Sequence, residues 1–172
     1  IDVSVVSDFD VGPGTLTVDL RGNFKEQEVS KIQSLPTPGL RASSLSAANI
    51  YDLENQVPDS RGTLTLDYDT GGLFSGLLRL NYYGGWGDSG GQIGSSDNSE
   101  AVSYGSKTLV DIEANFRIND NIRVAVGGEN ILDTYPDDDG HFVSGLLGIE
   151  YALTSPFGFN GGFWYARLGV DF

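Results

Sequence analysis

The residues best equipped for chemistry are acidic and lie close together. Asp133, Asp137, Asp138, Asp139 and Glu150 fall in one stretch without Lys or Arg, and the sole histidine, His141, sits among them. Hard cations want several carboxylate oxygens, so Asp137-Asp138-Asp139-Gly140 has the right ligand type for calcium. It lacks the spacing of a full calcium loop, with no Glu at the twelfth position. Asp137, Asp138 and Asp139 are therefore metal candidates, for calcium or for cations that bridge lipopolysaccharide. The plain alternative is a solvated loop, and His141 is either a member of such a site or an ordinary loop residue. The aromatics form a second group. Tyr82, Tyr83 and Trp86 end one alternating stretch and Tyr104 precedes the next, heights that suit a membrane interface. Trp86 and Tyr135 are the loop aromatics placed to contact a ligand, for instance by stacking on a sugar. There is no H-E-x-x-H, no phosphate loop and no cysteine, and His141 has no partner at a recognised catalytic spacing. Neither an enzyme nor a cofactor is expected.

These residues must be held by strands. From Gly162 to Phe172, Trp164, Ala166, Leu168, Val170 and Phe172 alternate with Phe163, Tyr165, Arg167, Gly169 and Asp171, and only the second set carries charge. A period of two sends successive side chains to opposite faces. A strand of about ten residues suffices to cross the hydrocarbon when tilted. The same pattern recurs over Ile1 to Phe9, Leu16 to Phe24, Leu64 to Tyr68, Phe74 to Tyr82, Val110 to Phe116 and Ile122 to Val126. About seven antiparallel strands result, and the fold class is all-β, with the strands of a transmembrane β-barrel. Lipid rejects charge, at about 2–4 kcal/mol for Arg at the midplane. The interleaved charges therefore face a wet interior, among them Asp111, Glu113, Arg123 and Arg167. They either line a substrate path or neutralise one another along the wall. A three-residue loop at Ile118-Asn119-Asp120 would set Asn115 opposite Arg123, with Glu113 diagonal to it.

Connections are alternately short (10–14, 69–72, 118–120) and long (about 28–60, 84–103 and 130–161). Outer-membrane barrels have short periplasmic turns and long extracellular loops. In the first long connection, Leu45, Asn49 and Leu53 have helical spacing and Pro58 follows, so a short helix within Ser43 to Val57 is expected. A formal charge of −14 argues against nucleic acid, whose phosphates require clustered Lys and Arg. No apolar run approaches the length of a transmembrane helix. Methionine and a basic-then-apolar leader are both absent, so the chain is expected to be a piece of a longer, processed product.

Three stretches carry a family resemblance: Lys107-Thr108-Leu109-Val110-Asp111, Gly128-Glu129-Asn130-Ile131-Leu132-Asp133-Thr134-Tyr135-Pro136, and Ser155-Pro156-Phe157-Gly158-Phe159-Asn160-Gly161-Gly162 running on to Leu168. Together they resemble the C-terminal end of TonB-dependent outer-membrane receptors, and residues 1–172 are expected to form that segment of the barrel. The resemblance implies a 22-stranded barrel with an N-terminal plug inside it. It implies uptake of a ferric siderophore, vitamin or oligosaccharide across a Gram-negative outer membrane. The implied partners are lipid and lipopolysaccharide, the remaining strands and plug, the TonB complex acting through that plug, and the barrel-assembly machinery. That machinery would read the terminal strand at Trp164, Leu168, Val170 and Phe172. The plug and most strands are missing from this chain. Two alternatives remain open: a small barrel of about eight strands with a structural or adhesive role, and a soluble β-sheet binding domain.

Overall fold

The computed structural model describes residues 1–32, 45–90 and 101–171. Seven strands of eight to eleven residues dominate. They are β1 (Asp2–Val11), β2 (Gly14–Phe24), β3 (Ser60–Asp69), β4 (Phe74–Tyr83), β7 (Lys107–Arg117), β8 (Ile122–Glu129) and β9 (Phe163–Val170). They form one antiparallel sheet in the order β1-β2-β3-β4-β7-β8-β9, with β1 and β9 at its edges. A second, two-stranded sheet pairs β5 (Trp86–Asp88) with β6 (Val102–Tyr104) inside a connection that the Gly/Ser-rich sequence suggests is only a loop. Helix α1 (Ala47–Asn55) begins at Ser46, whose side chain and that of Asn49 form a reciprocal capping box. Pro58 follows, fully buried. A short helix α2 (Phe142–Leu147) ends on Gly148, which is in the left-handed conformation.

Pairing is in continuous register across all seven strands, and this sorts the side chains. Val5, Leu20, Leu64, Leu80 and Val110 follow one another across the ladder, as do Phe9, Leu16 and Tyr68. Continuing, Ala114 faces Val126 and Val126 faces Ala166, while Val124 faces Leu168. Every Asp, Glu, Lys and Arg of the seven strands falls on the other face. Arg79 lies opposite Asp111, for example, and Glu129 opposite Phe163.

Nothing among the described residues covers the apolar face: Leu20 is 48%, Leu168 69% and Val170 43% exposed. A soluble sheet would have to bury this surface under a second layer. The buried apolar residues instead lie almost wholly in the long connections: Ala48, Trp86, Tyr104, Ala152 and Phe157, with Ala125 the exception in the sheet. The apolar face carries aromatic rings at both ends. Phe9, Tyr68, Phe74 and Phe116 lie near the tight turns, and Phe24, Tyr82 and Trp164 near the long connections. Phe74 and Tyr82 are separated by about 27 Å of strand, which suits a tilted strand and an apolar band about 25 Å tall.

The expected register of the last tight turn is corrected. Asn115 pairs with Ala125, and Arg123 faces Arg117 rather than Asn115. The three-residue loop is Asn119-Asp120-Asn121, one position later than expected. Asn119 Oδ1 accepts from the backbone N–H groups of Asn121 and Ile122, both at 2.9 Å. This Asn-centred turn keeps Ile118 and Ile122 hydrogen-bonded to each other instead of spending Ile118 in the loop.

The face assignment makes a quantitative prediction. Leu168→Arg puts a cation on the apolar face and should cost about 2–4 kcal/mol if the site lies near midplane. Gly169→Ser points to the charged face, where a Cβ meets nothing closer than 3.9 Å. The folded, heat-modifiable band in the membrane fraction should fall sharply for the first variant and stay at the native level for the second.

Candidate functional site

The charged face of the sheet is cross-linked. Tyr165 and Arg167 on β9 both donate to Glu113 on β7, two strands away. Arg123 reaches Asp171 at 2.9 Å. Asp111 accepts from Asn81 Nδ2 at 2.8 Å and from the Asn130 backbone N–H at 2.9 Å. Asp111, Glu113, Arg123 and Arg167 thus share the one face expected of them. Their pairings differ from expectation, since Glu113 serves β9 and not Arg123. Trp164, Leu168 and Val170 lie on the apolar face, while Phe172 is outside the described residues.

Above the sheet, the long connections pack into a cap. Trp86 stacks on Tyr104 with ring centroids 5.1 Å apart, and Phe157 meets it edge-on at 6.1 Å. Tyr83 packs on Phe157 at 5.1 Å. Placing Tyr83, Trp86 and Tyr104 in an interfacial girdle is therefore corrected, and only Tyr82 faces outward there. Trp86 is 4% exposed, so it has no open face to offer a sugar. Its indole N–H is buried without a hydrogen-bond partner among the described residues. Tyr135 stacks on Tyr151 at 5.5 Å, which likewise covers one of its faces.

The acidic residues hold this cap together. Asp137 accepts from Lys107 Nζ at 2.5 Å and from the Gly105 backbone N–H at 2.7 Å. Asp139 accepts from Tyr104 Oη at 3.1 Å and meets His141 Nδ1 at 2.5 Å. Asp138 is exposed, and its backbone bridges to Tyr151. The three carboxylates serve different neighbours, and no group of three or more His, Asp or Glu among the described residues is arranged to hold a metal. The His141 ring also lies against Gly90, and its Nε2 is 3.2 Å from the Asp88 carbonyl oxygen. Asp88 in turn accepts from Thr154 Oγ1 at 2.5 Å. Ser89 donates from both backbone and hydroxyl to Asp52 of α1, at 2.8 and 2.7 Å. Asp52, Asp88, Ser89 and Thr154 were not singled out by the sequence. Asn130 lies in the family-like stretch from Gly128 to Pro136, where Asn130 and Asp133 adopt positive φ (50° and 54°).

Gly87-Asp88-Ser89-Gly90-Gly91 fits the letters of the G-x-S-x-G nucleophile pattern. The geometry removes it as a nucleophile. Ser89 is 3% exposed, its hydroxyl is committed to Asp52, and His141 Nε2 faces a backbone carbonyl instead of that hydroxyl.

An antiparallel sheet with one apolar and one charged face, aromatic rings at both ends and long connections gathered on one side defines a β-barrel wall. The family model described as "TonB dependent receptor-like, beta-barrel" matches residues 10–131. The chain belongs to this family, a family of outer-membrane receptors and transporters and not of enzymes. No curated protein and no solved structure matches it.

Two cap carboxyls have displaced acidities. Lys107 is the largest influence on Asp137 and, with the Gly105 N–H, holds it below the usual carboxylate value against burial. Burial pushes Asp139 up, but hydrogen bonds from Ser144, from the His141 backbone and ring and from Tyr104 outweigh it, so this carboxyl is also lowered. A lowered folded-state pKa adds stability that is complete above the unfolded value and lost as pH falls through the folded one. The cap should therefore be intact at neutral pH and loosen below about pH 4. Fluorescence of Trp86 should report this transition, and Asp139→Asn should leave the cap loosened at neutral pH as well.

Proposed function

We propose that residues 1–172 form the C-terminal part of the wall of a Gram-negative outer-membrane receptor that takes up a ferric siderophore, vitamin or oligosaccharide. The charged face would be the lumen, and a plug filling that lumen would couple it to the TonB complex. The long connections, with their packed cap, would face outward and receive substrate. Lipid and lipopolysaccharide would surround the apolar face, and the barrel-assembly machinery would read the strand that bears Trp164, Leu168, Val170 and Phe172.

One observation carries this reading: seven strands sort every charge to one face, yet β1 and β9 have no further neighbour among the described residues. Open edges leave backbone N–H and C=O groups unpaired, which hydrocarbon does not tolerate. In this reading further strands would continue the sheet. The match to the receptor-barrel family over residues 10–131 supports it over a small, self-contained barrel of about eight strands. Asp137, Asp138 and Asp139 would act as loop-bracing residues and Tyr135 as part of the outer loop surface, not as metal ligands.

Cysteine labelling tests the orientation. The chain has no native cysteine. In the full-length receptor, Asp138→Cys should react with an impermeant maleimide on intact cells. Asn119→Cys and Thr70→Cys should react only after the envelope is opened. Equal labelling of Asn119 and Asp138 on whole cells would reverse the orientation and remove the receptor reading.

A further inference from the structure

His141 is a buried titratable group with no part in the wall. Its side chain and that of Asp139 are only 7% and 6% exposed. Nδ1 meets the Asp139 carboxylate at 2.5 Å, and Nε2 lies 3.2 Å from the Asp88 carbonyl oxygen. These two contacts join separate connections. Asp139 and His141 belong to the stretch between β8 and β9, and Asp88 to the one between β4 and β7.

Neither partner has a proton to give. A backbone carbonyl only accepts. Asp139 is held ionised, and it also accepts from Tyr104 Oη and from the His141 backbone N–H. A neutral imidazole donates from one nitrogen and presents a lone pair at the other. Here that lone pair would face an acceptor where water does not reach, leaving a buried polar group unsatisfied. Only the doubly protonated ring satisfies both contacts. The surrounding charges agree with this. β5 contributes Asp88, whose carboxylate takes the Gly90 N–H at 2.7 Å and Thr154 Oγ1 at 2.5 Å. β6 contributes Tyr104, which reaches the ring through Asp139, and α1 contributes Asp52, which stands behind Ser89. α2, which follows His141, brings no charge, and Lys107 is committed to Asp137.

We propose that His141 is a proton-operated pin that fastens two of the long connections to each other. With both nitrogens protonated it bridges Asp139 and Asp88. When Nε2 gives up its proton, two lone pairs are left face to face, and residues 86–90 part from the last connection. The fastened form holds one proton more than the released form, so rising pH favours release. This runs opposite to the acid loosening through Asp137 and Asp139, so the cap is closed only between the two transitions. The pin itself does not depend on the uptake reading. That its proton comes from the external medium does rest on it.

Hydrogen-exchange mass spectrometry on the full-length receptor in detergent tests the pin. It compares about pH 6 with about pH 9, rates being corrected for the intrinsic pH dependence of exchange, to cross the histidine range. Exchange in peptides covering residues 86–90 and 141–147 should rise about tenfold in the wild type. In His141→Gln it should change less than about twofold, because the amide has no proton to titrate. Peptides from the wall, such as residues 111–115, should not respond in either protein. A wild-type cap indifferent to pH overturns the proposal. An equal rise in His141→Gln overturns it too, since another group would then carry the transition. So does a wall that responds together with the cap, which would mean that the sheet itself is opening. The cysteine labelling above decides separately whether the cap faces outward.

Discussion

Everything in this molecule depends on one uninterrupted backbone ladder. A strand in hydrocarbon must have its N–H and C=O groups satisfied by neighbouring strands, since no water is there to replace them. Because the side-chain period is two, a slip of one residue anywhere in the ladder would move a whole strand's charges into lipid. Register and charge placement are thus the same constraint. The turns show how it is enforced. At the last tight turn the Asn119 side chain supplies the hydrogen bonds, and this brings Arg117 and Arg123 face to face. Two like charges directly opposed are unfavourable, and Asp171 offsets this by pairing with Arg123. The ladder prevails over the local electrostatics.

The cap obeys different rules. It has water on one side, so it can use buried aromatic packing and charge-assisted hydrogen bonds as a small soluble protein does. The connections do not support themselves individually. The segment around Asp88 is held by Thr154 from one connection, and Ser89 by Asp52 from another. Asp111 joins the two regimes. It sits on the sheet's charged face opposite Arg79, yet it fixes the Asn130 backbone where the last long connection departs. Asn130 then holds Thr134 through both its amide groups.

This division explains what was legible in the sequence. Strands and their faces could be read because alternation is a local property, and α1 because the spacing of Leu45, Asn49 and Leu53 and the Pro58 stop are local as well. The tight turn was misplaced by one residue because a side-chain hydrogen bond, not the count of residues between apolar positions, sets its boundary. Roles in the cap were illegible for a different reason. Trp86 has the type and height of an interfacial or sugar-stacking ring, and only contact with Tyr104 and Phe157 reveals it as core. The acidic run looks like a cation site until Lys107, Tyr104 and His141, each brought there by another segment, are seen to separate its members.

Between β8 and β9 the register cannot come from the turn, because more than thirty residues intervene. It is set by fit. Gly127 lies under the Tyr165 ring and Gly128 under the Trp164 ring, one on each face, and any Cβ at either glycine would collide with the ring above it. A two-residue slip either way would put those rings over residues with side chains, Ala125 and Val126 or Glu129 and Asn130, instead of over glycines. The connection above this interlock is therefore relieved of any part in aligning the strands. Lengthening a loop costs only about 0.6 kcal/mol per doubling where it is flexible. The stretch from Asn130 to Gly161 can thus change length between its anchored residues with little effect on how β8 and β9 align.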